Sequence, residues 1–240
     1  MNTRTLFISD IHLGMLDSKA EEVCDLLDSI DFDRLVLLGD IIDGWALARG
    51  AKWRSSHMKC IRKIMKAAQK GKEVIWIMGN HDDFLREWIP FELGTITVCD
   101  RYDLMIGGKK YLLIHGDVFD VFITNMKWLA KVGSIGYDFA LFLNRWYNQY
   151  RRWMGKPYFS LSKKIKESFK QATSFIGKFE EHISKLAHDE GYHGVICGHI
   201  HKAETKIMAN GVHYLNTGDW VENMTYILEE RGELSLHHYC

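Results

Sequence analysis

An α/β fold is predicted for this 240-residue chain by three observations. Short apolar, β-branched runs recur along the sequence, stretches of helical periodicity separate several of them, and five of the runs end in a short polar motif. Apolar runs this short read as buried strands, whereas apolar residues at i, i+3, i+4 and i+7 read as one face of a helix.

The elements follow in order. Leu6-Phe7-Ile8 leads into Asp10-Ile11-His12, and Lys19 to Ile30 then reads as a helix, with Val23, Leu26, Leu27 and Ile30 at helical spacing. Leu35-Val36-Leu37-Leu38 leads into Gly39-Asp40. Ser55 to Lys70 carries Met58, Ile61, Met65 and Ala68 on one side and many Lys or Arg on the other. That pattern predicts a solvated helix covering a sheet, whose charges need no functional explanation. Val74 to Met78 precedes Gly79-Asn80-His81-Asp82, Tyr111 to Ile114 precedes His115-Gly116-Asp117, and Val195-Ile196-Cys197 precedes Gly198-His199-Ile200-His201. Two further strands, Val212 to Asn216 and Thr225 to Leu228, flank a polar loop at 216–220 that is placed to form another wall of a site.

If the five motif-bearing strands share a sheet, their C-terminal ends lie side by side, where open α/β sheets hold ligands. The side chains delivered there are Asp10, Asp40, Asn80, His12, His115, His199 and His201, all oxygen or imidazole donors. Seven are too many for one metal and suit two that share a carboxylate, so the chain reads as a dinuclear metal hydrolase. Each motif alone has an ordinary reading: Gly-Asp after a strand is usually a turn, because Gly tolerates positive φ and Asp caps backbone N–H groups. Their joint occurrence, each after a strand, decides for the metal. His57, His182, His188, His193, His213, His237 and His238 fit no such pattern and are expected to be packed or solvated.

Composition suits an enzyme with a real core, one domain with an elaboration. The 31 basic and 31 acidic residues balance, so global charge names no partner. The five cysteines are odd in number and share no close spacing, which argues against a disulfide framework or zinc ribbon and for a reducing compartment. A first strand entered by Thr5 leaves no room for a signal peptide, and no apolar run reaches the length of about 18 residues that a membrane span needs. The expectation is a cytoplasmic protein.

Residues 121–188 differ from the rest. They hold 12 Lys or Arg against 4 Asp or Glu, so the remainder of this neutral chain is correspondingly acidic. Trp128, Trp146 and Trp153 fall in this span, in a helical pattern that is apolar on one side and basic at its edges. It reads as a helical cap packed on the domain, or as an amphipathic surface at a membrane interface, with Trp at headgroup depth and Arg on anionic lipid. The two are compatible if the helices enclose an acyl-chain groove. No base-reading motif accompanies the basic residues, so nucleic acid is not expected as a partner.

The motifs also carry a family resemblance. Asp10-x-His12, Gly39-Asp40-x-x-Asp43, Gly79-Asn80-His81-Asp82, His115-Gly116-Asp117 and Gly198-His199-x-His201 together resemble the signature of the calcineurin-like metallophosphoesterases. The resemblance spans residues 4 to about 220 apart from the insertion. It implies a β-sandwich flanked by helices (four layers, αββα), with a core of residues 1–120 and 189–240 and a helical lid at 121–188. By the same resemblance Asp10, His12, Asp40 and His201 hold one divalent ion, and Asp40, Asn80, His115 and His199 hold a second. Asp40 bridges them, because a carboxylate has two oxygens to share. His81 then stabilises developing charge or protonates the leaving oxygen, and Asp82 or Asp43 orients an imidazole.

The position of the insertion resembles the branch containing the UDP-2,3-diacylglucosamine hydrolases. Those enzymes cleave the pyrophosphate of a UDP-linked diacyl sugar to UMP and lipid X in lipid A synthesis, typically with manganese. The branch implies manganese here, with iron or zinc also suited to the donors, and a lipid-linked phosphate substrate met at the inner face of the cytoplasmic membrane. Asn80 and the lid lysines Lys163, Lys164, Lys166 and Lys170 become the substrate-binding set. His81 stands where that branch usually carries Arg, so a paralogue acting on another membrane phosphoester remains an alternative. So does a soluble phosphodiesterase or protein phosphatase. A non-catalytic scaffold on this fold need not keep all seven ligand positions filled. The sequence is silent on oligomeric state.

Overall fold

A computed structural model describes residues 3–88, 90–122, 153–155 and 161–240. The chain divides into two compact units, one of Met1–Asp117 with Ile183–Cys240 and one of Val118–His182.

In the first unit the strands are β1 (Thr5–Ile8), β2 (Arg34–Leu38), β3 (Glu73–Ile77), β4 (Phe91–Leu93), β5 (Ile96–Cys99), β6 (Arg101–Ile106), β7 (Lys109–Ile114), β8 (Gly194–Cys197), β9 (Glu204–Ile207), β10 (His213–Asn216), β11 (Thr225–Glu230) and β12 (Glu233–His238). Its helices are α1 (Ala20–Ser29), α2 (Gly44–Ala48) and α3 (Ser55–Gln69), and it takes the last turns of α4 (Leu161–Asp189). The motif-bearing strands do not share one sheet. A seven-stranded sheet runs β12-β11-β1-β2-β3-β5-β4 and a five-stranded one β6-β7-β8-β10-β9. β1, β2, β3 and β5 are parallel in the first, β7, β8 and β10 in the second. The β6–β7 hairpin turns at Gly107-Gly108 and begins the second sheet, because a tight turn can only add an antiparallel neighbour.

Alternation along the strands builds the layers. Phe7, Val36, Leu38, Ile75 and Ile77 point inward and pack with Leu104, Leu113, Ile196 and Leu215 of the other sheet. Leu6, Ile8, Leu35, Leu37 and Trp76 point the other way, onto Val23, Cys24, Cys60 and Ile64 of α1 and α3. With both faces covered, β1 to β3 must be apolar throughout, which is why they read as continuous runs. On the far side of the second sheet, Asn210 Nδ2 donates to Ser184 O of α4 at 3.0 Å, and Ile183 and Ala187 are fully buried.

α3 corrects one expectation. Its buried face is His57, Cys60, Ile64 and Ala67, so Met58 and Met65 look into solvent. The His57 ring accepts the backbone N–H of Arg54, which satisfies a polar side chain on the inward face. The edge strands β4, β9 and β12, together with the short α2, were not expected. They are short or half-exposed and lack an apolar run.

In the second unit, Trp128 and Trp146 lie outside the described residues. Lys163, Lys164, Lys166 and Lys170 lie on α4, with their side chains outside the description. Among the described residues no helix is long and apolar enough to cross a membrane.

Candidate metal centre

Backbone bonds beyond the strand ends hold the motifs together. Asp10 N donates to Gly39 O at 3.0 Å and His12 N to Asp40 O at 2.9 Å, pinning the first motif to the second. Gly198 N donates to His115 O at 3.2 Å in the other sheet. The two sheets meet where His199 N donates to Asp10 Oδ2 at 3.0 Å. The chain therefore crowds its polar loops at the shared end of a sandwich.

That crowding distorts the backbone where the donors sit. Of seven described non-glycine residues with positive φ, five are Asp10, His12, Asp40, His199 and His201, with φ between 51 and 73°. Such residues are uncommon and cost of order 1–3 kcal/mol each, a strain characteristic of functional sites. Two glycines give the donors room. A Cβ on Gly79 would stand 2.2 Å from Asp40 Oδ1, and one on Gly198 would stand 2.4 Å from Asp10 Oδ2. We expect Gly79→Ala to cost about 1–3 kcal/mol of stability and to lower metal content, read by thermal melts and elemental analysis. A variant with wild-type melting and metal content would mean that Asp40 has slack.

Six of the seven expected metal donors form two groups, Asp10 with His12 and His201, and Asp40 with His115 and His199. Within each, two ring nitrogens face each other: His12 Nε2 and His201 Nε2 at 3.3 Å, His115 Nε2 and His199 Nδ1 at 3.2 Å. Bonds of roughly 2.0–2.1 Å to a shared cation put neighbouring nitrogens about 3.0–3.4 Å apart, so the donor set fits a metal. Oxygen availability agrees. Asp10 Oδ2 is taken by Ser9 Oγ and His199 N, while Oδ1 has no hydrogen bond and lies 3.1 Å from His201 Nε2. Asp40 Oδ1 accepts His81 N at 2.8 Å. Its Oδ2 lies 3.4 Å from His115 Nε2 and 3.8 Å from His12 Nε2, facing both groups. Asn80, the seventh, has both buried amide atoms without a hydrogen-bond partner. His115 Nδ1 donates to Leu38 O at 2.7 Å, which fixes the tautomer and leaves Nε2 as a lone-pair donor.

The charges are tightly balanced. Burial pushes the Asp10 carboxyl up, but the His201 ring beside it and the His115 ring together bring it down to about 2. Asp40 is also held well below the carboxylate range against burial, by His115 first and then His12 and His81. Burial pushes the His115 ring down, but Asp40 raises it to about 10. The same fixed negative field favours divalent cations, which the rings meet as neutral ligands.

His81 stands beside these donors. Its ring lies 4.2 Å from that of Trp45 and 4.7 Å from that of His12, and its Nδ1 is 3.0 Å from Asp43 Oδ1. The other Asp43 oxygen is 3.4 Å from His12 Nδ1, so this carboxylate stands beside two imidazoles. Asp82 faces backbone amides. It is fully buried and accepts from Ile41 N at 3.1 Å and Ile42 N at 2.7 Å, bracing the loop that carries Asp40. Burial first, then the Asp40 charge, push its carboxyl up to about 7 against those two bonds. Asp82 thus meets backbone amides, whereas Asp43 stands beside the His12 and His81 rings.

Sequence reasoning missed Ser9 and Trp45. Ser9 Oγ ties Asp10 to Thr217 Oγ1 at 2.6 Å, and a serine after a buried strand carries no periodic signal. The 216–220 loop supports the site from behind: Trp220 N donates to Asp10 O at 3.0 Å, and the Trp220 ring is buried in the core.

Known proteins resemble this chain at the level of family and fold. Residues 3–203 match the model of the calcineurin-like phosphoesterase family. A UDP-2,3-diacylglucosamine hydrolase from Aliivibrio fischeri is 27% identical over 242 residues, covering 97% of each chain. The protein of the same name from Haemophilus influenzae is 24% identical, covering 95% of each. A solved structure described as a novel archaeal phosphodiesterase aligns with a TM-score of 0.50 at 13% identity, over 98% of this chain and 99% of that one, a likeness of fold.

Proposed function

The chain belongs to the calcineurin-like phosphoesterase family, and from that premise we propose that it hydrolyses a lipid-linked phosphoester or pyrophosphate of the UDP-2,3-diacylglucosamine type, to UMP and lipid X for that substrate. It is a metal-dependent phosphoester hydrolase. The observation that carries the metal reading is the single oxygen, Asp40 Oδ2, that faces both imidazole groups. For the substrate, support comes from relatives of that name that align over 97% of the chain, the second unit included, rather than over the core alone.

In this reading Asp10, His12, Asp40 and His201 hold one divalent cation, and Asp40, Asn80, His115 and His199 the other. Imidazole, carboxylate and amide donors suit manganese, with iron or zinc as alternatives. When bound, such a pair supplies Lewis acidity to phosphate oxygens and brings water's pKa toward neutrality. The protein's own groups do the rest. Asp43, 3.0 Å from His81 Nδ1, steadies the ring, and His81 hands a proton to the departing oxygen. Trp45 fixes the plane of that ring. Asn80 and the α4 lysines Lys163, Lys164, Lys166 and Lys170 meet the substrate. The enzyme works in the cytoplasm, at the inner face of the membrane.

The test is a hydrolysis screen with Mn²⁺ over UDP-2,3-diacylglucosamine, other nucleotide-linked lipids, lipid phosphates and bis-p-nitrophenyl phosphate. UMP release from the diacyl sugar nucleotide at a kcat/KM well above that for the soluble diester is expected. Turnover of the soluble diester with none of any lipid would replace this reading with that of a soluble phosphodiesterase.

A further inference from the structure

Residues 44–72 contain nine Lys or Arg and no Asp or Glu, in a chain whose 31 basic and 31 acidic residues balance only over its whole length. The far end of this stretch is compensated by the acids of α1 and the loop after it: Lys63 pairs with Asp28, and Lys72 Nζ lies 2.9 Å from Asp31. The near end is not. Arg49, Lys52 and Lys59 are exposed and form no ion pair among the described residues. Large apolar side chains accompany them: Leu16 is 68% exposed, Trp45 46% and Met58 40%. Apart from Leu16 they come from one run of sequence, 45–59, and that run reaches the metal centre. Trp45 lies against His81, and the Arg54 guanidinium donates to Leu16 O at 3.2 Å, one helical turn before Met58.

We propose that this rim, Leu16, Trp45, Arg49, Lys52, Arg54 and Met58, seats on an anionic phospholipid surface, so that a headgroup phosphate reaches the site directly from the bilayer. Apolar side chains interleaved with cations are what an interface selects: the apolar parts enter the headgroup boundary and the cations meet lipid phosphate. Single-stranded nucleic acid would call for aromatic platforms along a cationic track, whereas Leu16 and Met58 offer no ring on which a base can stack. The proposal rests on the lipid-linked substrate reading, but vesicle binding is measured without turnover and so stands or falls separately.

The experiment is co-sedimentation of the full chain with phosphatidylcholine vesicles, with and without phosphatidylglycerol, at low salt. Each basic residue near an anionic surface contributes about 1 kcal/mol, so Arg49→Gln with Lys52→Gln should weaken partitioning about thirtyfold. Leu16→Ser should weaken it further. Hydrolysis of bis-p-nitrophenyl phosphate should stay at the wild-type rate in both variants, which also reports that they fold. Three results would overturn the proposal. They are wild-type protein that does not bind anionic vesicles, variants that bind like wild type, and binding abolished by Trp146→Ser with Trp153→Ser but untouched by the rim changes.

Discussion

Asp40→Ala is expected to abolish turnover and strip the chain of both metal ions. Asp40 Oδ2 faces His115 at 3.4 Å and His12 at 3.8 Å, so one substitution removes an anionic ligand from both groups of rings. The loss of Lewis-acid stabilisation is worth several kcal/mol, roughly a 10³-fold or greater fall in rate. Asp40→Asn separates charge from shape. It keeps an oxygen to accept His81 N–H, now 2.8 Å from Oδ1, and should fold normally while binding metal poorly. Elemental analysis after gel filtration and turnover with added Mn²⁺ are the measurements. Two metal equivalents on Asp40→Ala with activity intact would end the dinuclear assignment.

His81→Ala should leave both metals in place and lower the rate by roughly 10²–10⁴-fold, the scale of a general acid–base group. The loss should shrink for p-nitrophenyl esters, whose leaving group departs without a proton. Asp43→Asn should show the same leaving-group dependence, because Asp43 Oδ1 lies 3.0 Å from His81 Nδ1. The competing role is direct ligation, since His12, Asp43 and His81 also converge closely enough to hold an ion. Metal content decides between them: loss of an equivalent from His81→Ala makes His81 a ligand and defeats the division of the histidines into ligands and proton donor.

Some of this was legible from residue order alone. Strands buried on both faces must be apolar throughout, so β1, β2, β3 and β8 announced themselves, and each handed a polar motif to the loop beyond its end. Residue type then fixed the chemistry, because Asp, Asn and His together at strand ends have few uses besides a cation. Less was legible where a pattern has two faces to choose between. The periodicity of α3 was plain, yet either Met58, Ile61 and Met65 or His57, Cys60 and Ile64 could form the inner stripe. The structure buries the second set, because the first turn places His57 where the Arg54 N–H can satisfy its ring.

By itself, then, the sequence determined the α/β class and put forward seven candidate donors, because burial and metal affinity act on residue type and local order. Only the tertiary structure decided that the motif strands belong to two sheets, since strand pairing depends on distant partners that no local pattern encodes. It also placed Asp82 and Asp43 in different surroundings. Each carboxylate is the last residue of a motif, but Asp82 turns back onto the Ile41 and Ile42 amides while Asp43 lies beside His12 and His81. Which of two acids meets a ring is settled by the fold of the loops in three dimensions, where each buried oxygen takes the nearest donor that geometry allows.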